Sequence, residues 1–232
     1  MTVLSSSGLR RILVVYGGMK FLETDNIDLF FERLAAAHPE PGTELDFTNT
    51  YTLLVAVVLS AQMTDRGVNK ATGPLFERVS TPREMLELGE DGLKDYVKSV
   101  NLYPTKARHI IALSRILVEE FAGKVPSTRE ELERLPGVGR KTANVMLNVA
   151  FGQPTMPVDT HVLRLSFRAG LSAGKNPRAV EADLLAVVPE RYAQDAHHVL
   201  LLHGRYVCTA HAPGCDVCPV NDVCPKNGVL PE

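Results

Sequence analysis

Leu135-Pro136-Gly137-Val138-Gly139-Arg140-Lys141 lies between two helical patterns. One pattern ends at Leu135, a Gly-x-Gly turn follows, and a second begins at Arg140 and runs to Phe151. Two glycines one residue apart let the backbone turn sharply and approach a ligand closely. The first N–H groups of the second helix have no partner within the helix, and they lie at its positive dipole end. Such a terminus binds phosphate without reading a base. An ordinary tight turn between helices is the competing reading. The flanking Leu-Pro and Arg-Lys tip the balance towards a phosphate-binding hairpin.

The pattern outward from this hairpin is helical almost throughout, so the expected class is all-α. Asp25 or Asn26 is expected to cap a helix to about Ala37, stopped by Pro39 and Pro41. Thr50 to Gln62 is nearly all apolar and reads as a buried central helix. Thr64 or Asp65 opens a helix towards Val79, Thr81-Pro82 one through Leu88, and Gly89 to Val97 follows. Pro104 to Phe121 carries Ile110, Leu113 and Leu117 on one stripe. Ser127 with Glu130 reads as a capping box for a helix ending at Leu135. Asp159 is expected to cap a helix through Ala169, with Pro177–Val187 and Arg191–His203 completing the set.

Composition limits the partners. The chain has 232 residues and a formal net charge of -2. A nucleic-acid partner therefore requires positive charge gathered on one face. No apolar run approaches the roughly 18 residues of a membrane span. Arg10 to Met19 is short, is broken by Gly17-Gly18, and lacks a signal-peptide cleavage site. The expected location is the cytoplasm. Met19 is an alternative start, because no periodic pattern precedes Phe21.

Three further features carry chemistry. Lys141 falls in the first turn of a helix, where the dipole disfavours a positive charge. An amine with a lowered pKa is a better nucleophile and can form a Schiff base; a solvated surface lysine is the competing reading. In Pro157-Val158-Asp159-Thr160-His161, Asp159 precedes a helix and suits an N-cap. A carboxylate so held can also stabilise positive charge growing on a sugar. His161 reads better as a structural hydrogen-bonding histidine than as a functional one. All four cysteines lie between 208 and 224, spaced Cys208-x6-Cys215-x2-Cys218-x5-Cys224. Thiols bunched in this way suit metal rather than disulfides. One Cys-x-x-Cys pair with gaps of six and five favours a four-iron cluster over zinc.

Taken in order, these motifs resemble the endonuclease III family of the helix-hairpin-helix glycosylases. Leu59-Ser60-Ala61-Gln62 with Thr64-Asp65, Leu135 to Asn144, Val158 to His161, and His203-Gly204-Arg205-Tyr206 before the cysteines carry the likeness. It covers nearly all of the chain after about residue 25.

The resemblance implies two helical domains with a DNA-binding cleft between them. Residues 43–153 would form a six-helix domain; residues 1–42 with 154–232 would form a domain holding a [4Fe-4S] cluster on Cys208, Cys215, Cys218 and Cys224. It implies a monomer acting on double-stranded DNA with damaged bases or abasic sites. Lys141 would be the nucleophile, and Asp159 would assist base loss. Gly137, Val138, Gly139, Arg140 and His161 would contact DNA. Gln62 and Leu102 would fill the gap left by the flipped base, although a buried core leucine competes at Leu102. The activity implied is removal of oxidised pyrimidines, then β-elimination 3′ to the lesion.

Lysine at 141, and the short tail after Cys224, argue against a single-step adenine-mismatch glycosylase. Lys141 with Asp159 argues against a silent or redox-sensing DNA-binding protein. A zinc-binding interaction module is the remaining alternative.

The loop Thr209-Ala210-His211-Ala212-Pro213-Gly214 contains no lysine or arginine, whereas relatives often carry a basic loop there. Nonspecific DNA affinity is therefore expected to fall less steeply with salt than for a basic-loop relative. Titrations of both proteins across salt concentrations check this; equal slopes contradict it.

Overall fold

A computed structural model describes residues 18–229. The stretch before Gly18, with most of the apolar run from Arg10 and the question of the start codon, lies outside the described residues. Within them the chain forms ten α-helices and no extended strand. None of these helices is long and apolar enough to cross a membrane.

The helices are α1 Thr24–Ala37, α2 Thr50–Ser60, α3 Asp65–Arg78, α4 Pro82–Val97, α5 Tyr103–Glu120, α6 Arg129–Glu133, α7 Arg140–Phe151, α8 Thr160–Arg168, α9 Pro177–Val187 and α10 Ala196–Tyr206. Their boundaries follow local chemistry. Asn49 accepts from the N–H groups of Tyr51 and Thr52, and Thr52 returns the bond in a capping box. Thr64, Thr81 and Asn176 cap α3, α4 and α9 by accepting one backbone N–H each, and Thr81 forms a second capping box with Glu84. At Gly89, φ is +74°, so α4 is two helical pieces meeting at a kink, as its sequence predicts.

Several expected boundaries differ. α2 ends at Ser60, not Gln62. α1 starts two or three residues early: Glu23, not Asp25 or Asn26, holds the N-cap position, and its carbonyl takes the Asn26 N–H at 2.9 Å. α6 is capped by Thr128, not Ser127, with Glu131 rather than Glu130 bonded to the threonine hydroxyl. The last helix begins at Ala196, not Arg191, and runs past His203 to Tyr206. Pro189 starts a single 3-10 turn at Glu190–Tyr192, and the chain restarts at Asp195.

Two hydrophobic clusters form. The first draws on Leu45 through Leu147 and centres on α2, which buries every residue from Tyr51 to Leu59. A helix apolar all round must be surrounded by protein, and α3, α5 and α7 pack around it. The second cluster joins Phe30, Phe31 and Leu34 of α1 to Val162, Leu165, Leu184, Val199 and Leu200 of the C-terminal helices. The chain thus begins in one core, builds the other, and returns.

The return is pinned at Gly170. The Leu22 N–H donates to the Gly170 carbonyl at 3.0 Å. Gly170 has φ +69°, and a Cβ there would lie 2.6 Å from both Leu22 N and Lys20 O. Those are backbone atoms that cannot swing aside. Gly170→Ala is expected to destabilise the protein by about 1–3 kcal/mol, measured as a lower urea midpoint; an unchanged midpoint contradicts this packing.

Candidate functional site

The hairpin turn is built from two unlike glycines. Gly137 has φ +82°, and a Cβ there would crowd the His109 side chain at 3.1 Å. Gly139 is the N-cap of α7 in extended backbone, and a Cβ would meet nothing within 4 Å. Gly137 therefore makes the turn, while Gly139 leaves open space over the helix start. No side chain caps that start. Its first-turn N–H groups face outward for an incoming anion. Val138 is buried in the first core and anchors the turn from behind.

Lys141, in the first turn of α7, is 55 % exposed at its side chain. Asp159 is the N-cap of α8: its Oδ1 accepts from the N–H groups of His161 and Val162, each at 2.9 Å. Its other oxygen, Oδ2, lies 3.9 Å from Lys141 Nζ. Residues 18 apart, from separate cores, thus meet at two helix starts. They line one cleft with Gln62, Asp65, His197 and Arg205. Across it Arg205 of α10 donates to Asp65 at 2.6 Å and also pairs with Glu44.

Gln62 and Leu102 stand at the ends of two neighbouring loops. Both adopt left-handed backbone, with φ +59° and +58°. Asn101 Nδ2 donates to the Gln62 carbonyl at 2.9 Å and ties the loops together. Lys106 reaches from α5 to the carbonyls of Leu59 and Ala61, at 2.8 and 2.5 Å. A buried cation thus closes the C-terminus of α2, and burial pushes its pKa down. Leu102 is not a core leucine, for 63 % of it is exposed.

These features coincide with those of known proteins. Residues 55–190 match the family model described as HhH-GPD superfamily base excision DNA repair protein. The chain belongs to the endonuclease III family. It is 57 % identical over 200 residues to Endonuclease III of Treponema pallidum, covering 86 % of this chain and 95 % of that one. It is 53 % identical over 186 residues to Endonuclease III of Escherichia coli, covering 80 % and 88 %. Among solved structures, a non-covalent Endonuclease III-DNA complex superposes with a TM-score of 0.84 at 40 % identity, over 89 % of this chain and 97 % of the other. A trapped Endonuclease III-DNA covalent intermediate superposes with a TM-score of 0.83 at the same identity and coverage. The protein is accordingly a base-excision repair enzyme, a DNA glycosylase with abasic-site lyase activity.

The four cysteines of this family member are unpaired and line one small pocket together. Phe30, Leu165 and Val220 supply apolar walls, and Arg168 Nη1 donates to Cys208 Sγ at 3.5 Å. Burial pushes the Cys224 thiol up to about 11 and raises Cys218. Among the described residues no three such side chains converge as around a single ion. The donor set, four free thiols facing one pocket beside a guanidinium, fits the chemistry of an iron–sulfur cluster.

Two of the expected DNA contacts also have partners within the protein. The Arg140 side chain is 40 % exposed. It makes two hydrogen bonds to Glu181, at 2.8 and 2.9 Å. His161 Nδ1 lies 3.4 Å from the Gly204 carbonyl and 3.3 Å from Arg164, as in a structural histidine. Sequence reasoning missed Glu181 and Lys106. Each stands where a helix's apolar stripe should continue, Lys106 four residues before Ile110 and Glu181 between Val180 and Leu184. A charge in such a register position is the signal that marks them.

Beside the cleft, burial holds the His197 imidazole well below its ordinary value of 6.5, with the charges of His198 and Lys141 adding to the effect. Burial lowers His198 too. The folded protein therefore takes up these protons less readily than the unfolded chain, so stability is full above about pH 6.5 and declines as pH falls below it. Thermal melts from about pH 7.5 down to about pH 5 are expected to show this fall, and His197→Gln to flatten it. An equal slope in the variant contradicts the assignment.

Proposed function

We propose that Lys141 is the attacking amine of this glycosylase and lyase, and that Asp159 is the carboxylate that assists it. The observation carrying this reading is the approach of Lys141 Nζ to Asp159 Oδ2 at 3.9 Å on one cleft. Lys141 attacks the anomeric carbon of the damaged nucleotide. The bond to the base breaks, and the base leaves with the electron pair and takes up a proton. Asp159, ionised at a helix N-terminus, stabilises the positive charge growing on the sugar. Ring opening gives a Schiff base on Lys141. Loss of a proton from the adjacent sugar carbon then expels the 3′ phosphate, and water releases the enzyme.

The substrate is double-stranded DNA carrying a damaged base, of which oxidised pyrimidines are the proposed class, or an abasic site. Gln62 and Leu102 fill the gap left by the extruded nucleotide; their exposure and left-handed backbone support this. The open amides at Gly139 and the first turn of α7 take a phosphate, with Gly137 and Val138 shaping the turn. Cys208, Cys215, Cys218 and Cys224 hold a [4Fe-4S] cluster. Bound there, it would order the C-terminal loop, with these four cysteines as its thiolate ligands. Among the described residues, the two cores support a division into two domains at about residues 42/43 and 153/154. The enzyme works as a monomer in the cytoplasm; the relatives named are bacterial proteins.

Borohydride trapping on an abasic duplex tests the assignment. Lys141→Ala is expected to give no covalent adduct; an adduct that persists overturns the nucleophile. Asp159→Asn separates two roles of one residue, because asparagine caps a helix about as well as aspartate. It is expected to keep stability within about 0.5 kcal/mol while base excision slows by roughly a hundredfold or more. A variant that excises normally shows that Asp159 is only a cap.

A further inference from the structure

Glu181 is a buried carboxylate on α9, in the second core, with 7 % of its side chain exposed. It has no part in the chemistry above. Its Oε2 accepts from Arg140 Nε at 2.8 Å, and its Oε1 accepts from Arg140 Nη2 at 2.9 Å and from Asn144 Nδ2 at 3.0 Å. Asn144 in turn accepts from Arg129 Nε of α6 at 2.9 Å. One carboxylate thus gathers both helices of the hairpin and fastens them to the opposite core. α7 otherwise packs mainly on α2 and α6, inside its own core.

Arg140 and Asn144 are four residues apart and share a face of α7. Lys141 lies ~100° further round. Rotating α7 about its axis therefore trades the Glu181 contacts directly against the reach of Lys141 to Asp159. An extended lysine amine lies roughly 8 Å from its helix axis, so a turn of about ten degrees moves Nζ by roughly 1.5 Å. Misplacement on that scale is enough to slow a positioned reaction by about a hundredfold.

We propose that Glu181 is a positioning residue for the lyase and glycosylase reaction, setting through Arg140 and Asn144 the rotation of α7 that presents Lys141 to the cleft. On this reading Arg140 is a partner of Glu181 rather than a phosphate ligand. The proposal rests on Lys141 being the nucleophile.

A double-mutant cycle on the full-length protein tests it. Two quantities are read: the single-turnover rate on saturating abasic duplex, and the Kd for a duplex with an uncleavable tetrahydrofuran abasic analogue. Glu181→Ala and Arg140→Ala are each expected to lower the rate roughly ten- to a hundredfold, with Kd changed by less than about threefold. The double variant is expected to lose no more than the worse single one. The reversed pair, Arg140→Glu with Glu181→Arg, is expected to regain part of the rate. Circular dichroism checks folding. Where the alanine variant does not fold, Glu181→Gln and the reversed pair decide. Additive losses, or weaker binding with an unchanged saturated rate, overturn the proposal. Lys141→Ala run in parallel separates the two claims. If it still traps DNA, the nucleophile assignment fails; if it does not and the cycle shows no coupling, only the role of Glu181 fails.

Discussion

The enzyme depends on two helix starts from different cores meeting across one cleft. α7 brings Lys141 in its first turn, and α8 brings Asp159 as its N-cap. Each terminus carries roughly half a positive charge from its aligned peptide dipoles. Asp159 answers one with an ionised carboxylate and two amide hydrogen bonds. The α7 start has no side-chain cap, and the proposed phosphate site lies there. A chain of net charge -2 can therefore draw in an anionic strand through oriented backbone rather than through a lysine-rich surface.

The geometry is held by charged groups placed where apolar ones would be expected. Lys106 closes the end of α2 and fixes the loop that displays Gln62. Glu181 fastens the hairpin, and Arg205 spans the cleft to Asp65 and Glu44. Left-handed backbone at a non-glycine residue costs about 1–3 kcal/mol and persists only where its surroundings enforce it. At Gln62 and Leu102 the enforcement is visible: Asn101 binds the Gln62 carbonyl, and Lys106 holds the turn before it. Two exposed side chains are thereby held on loops of fixed backbone.

Much of this was legible in the sequence, for local reasons. Arg140–Phe151 and the Asp159 cap follow from turn and capping residues that act on their own neighbours. The end of α2 does not, because it stops at Ser60 where a lysine 46 residues later takes its carbonyls. The Arg191 start failed because Pro189 yields only one 3-10 turn before Asp195. The Arg140–Glu181 pair was not legible, because its two residues come from different helices and cores. The meeting of Lys141 with Asp159 is likewise a tertiary fact. Each residue offered a plausible chemistry alone, and only the fold sets them 3.9 Å apart.

The looping path of the chain also bears on how it is made. α1 displays Phe30, Phe31 and Leu34, and all three are buried in the finished protein against residues from Met156 onwards. Translation at about 5–20 residues per second leaves that apolar face without its partners for several seconds or more while the first core emerges and closes. The second core can form only once α10 has left the ribosome, and its oldest helix must be kept from other partners until then. Newly made chains in that interval are the form of this protein most open to chaperones, and to aggregation.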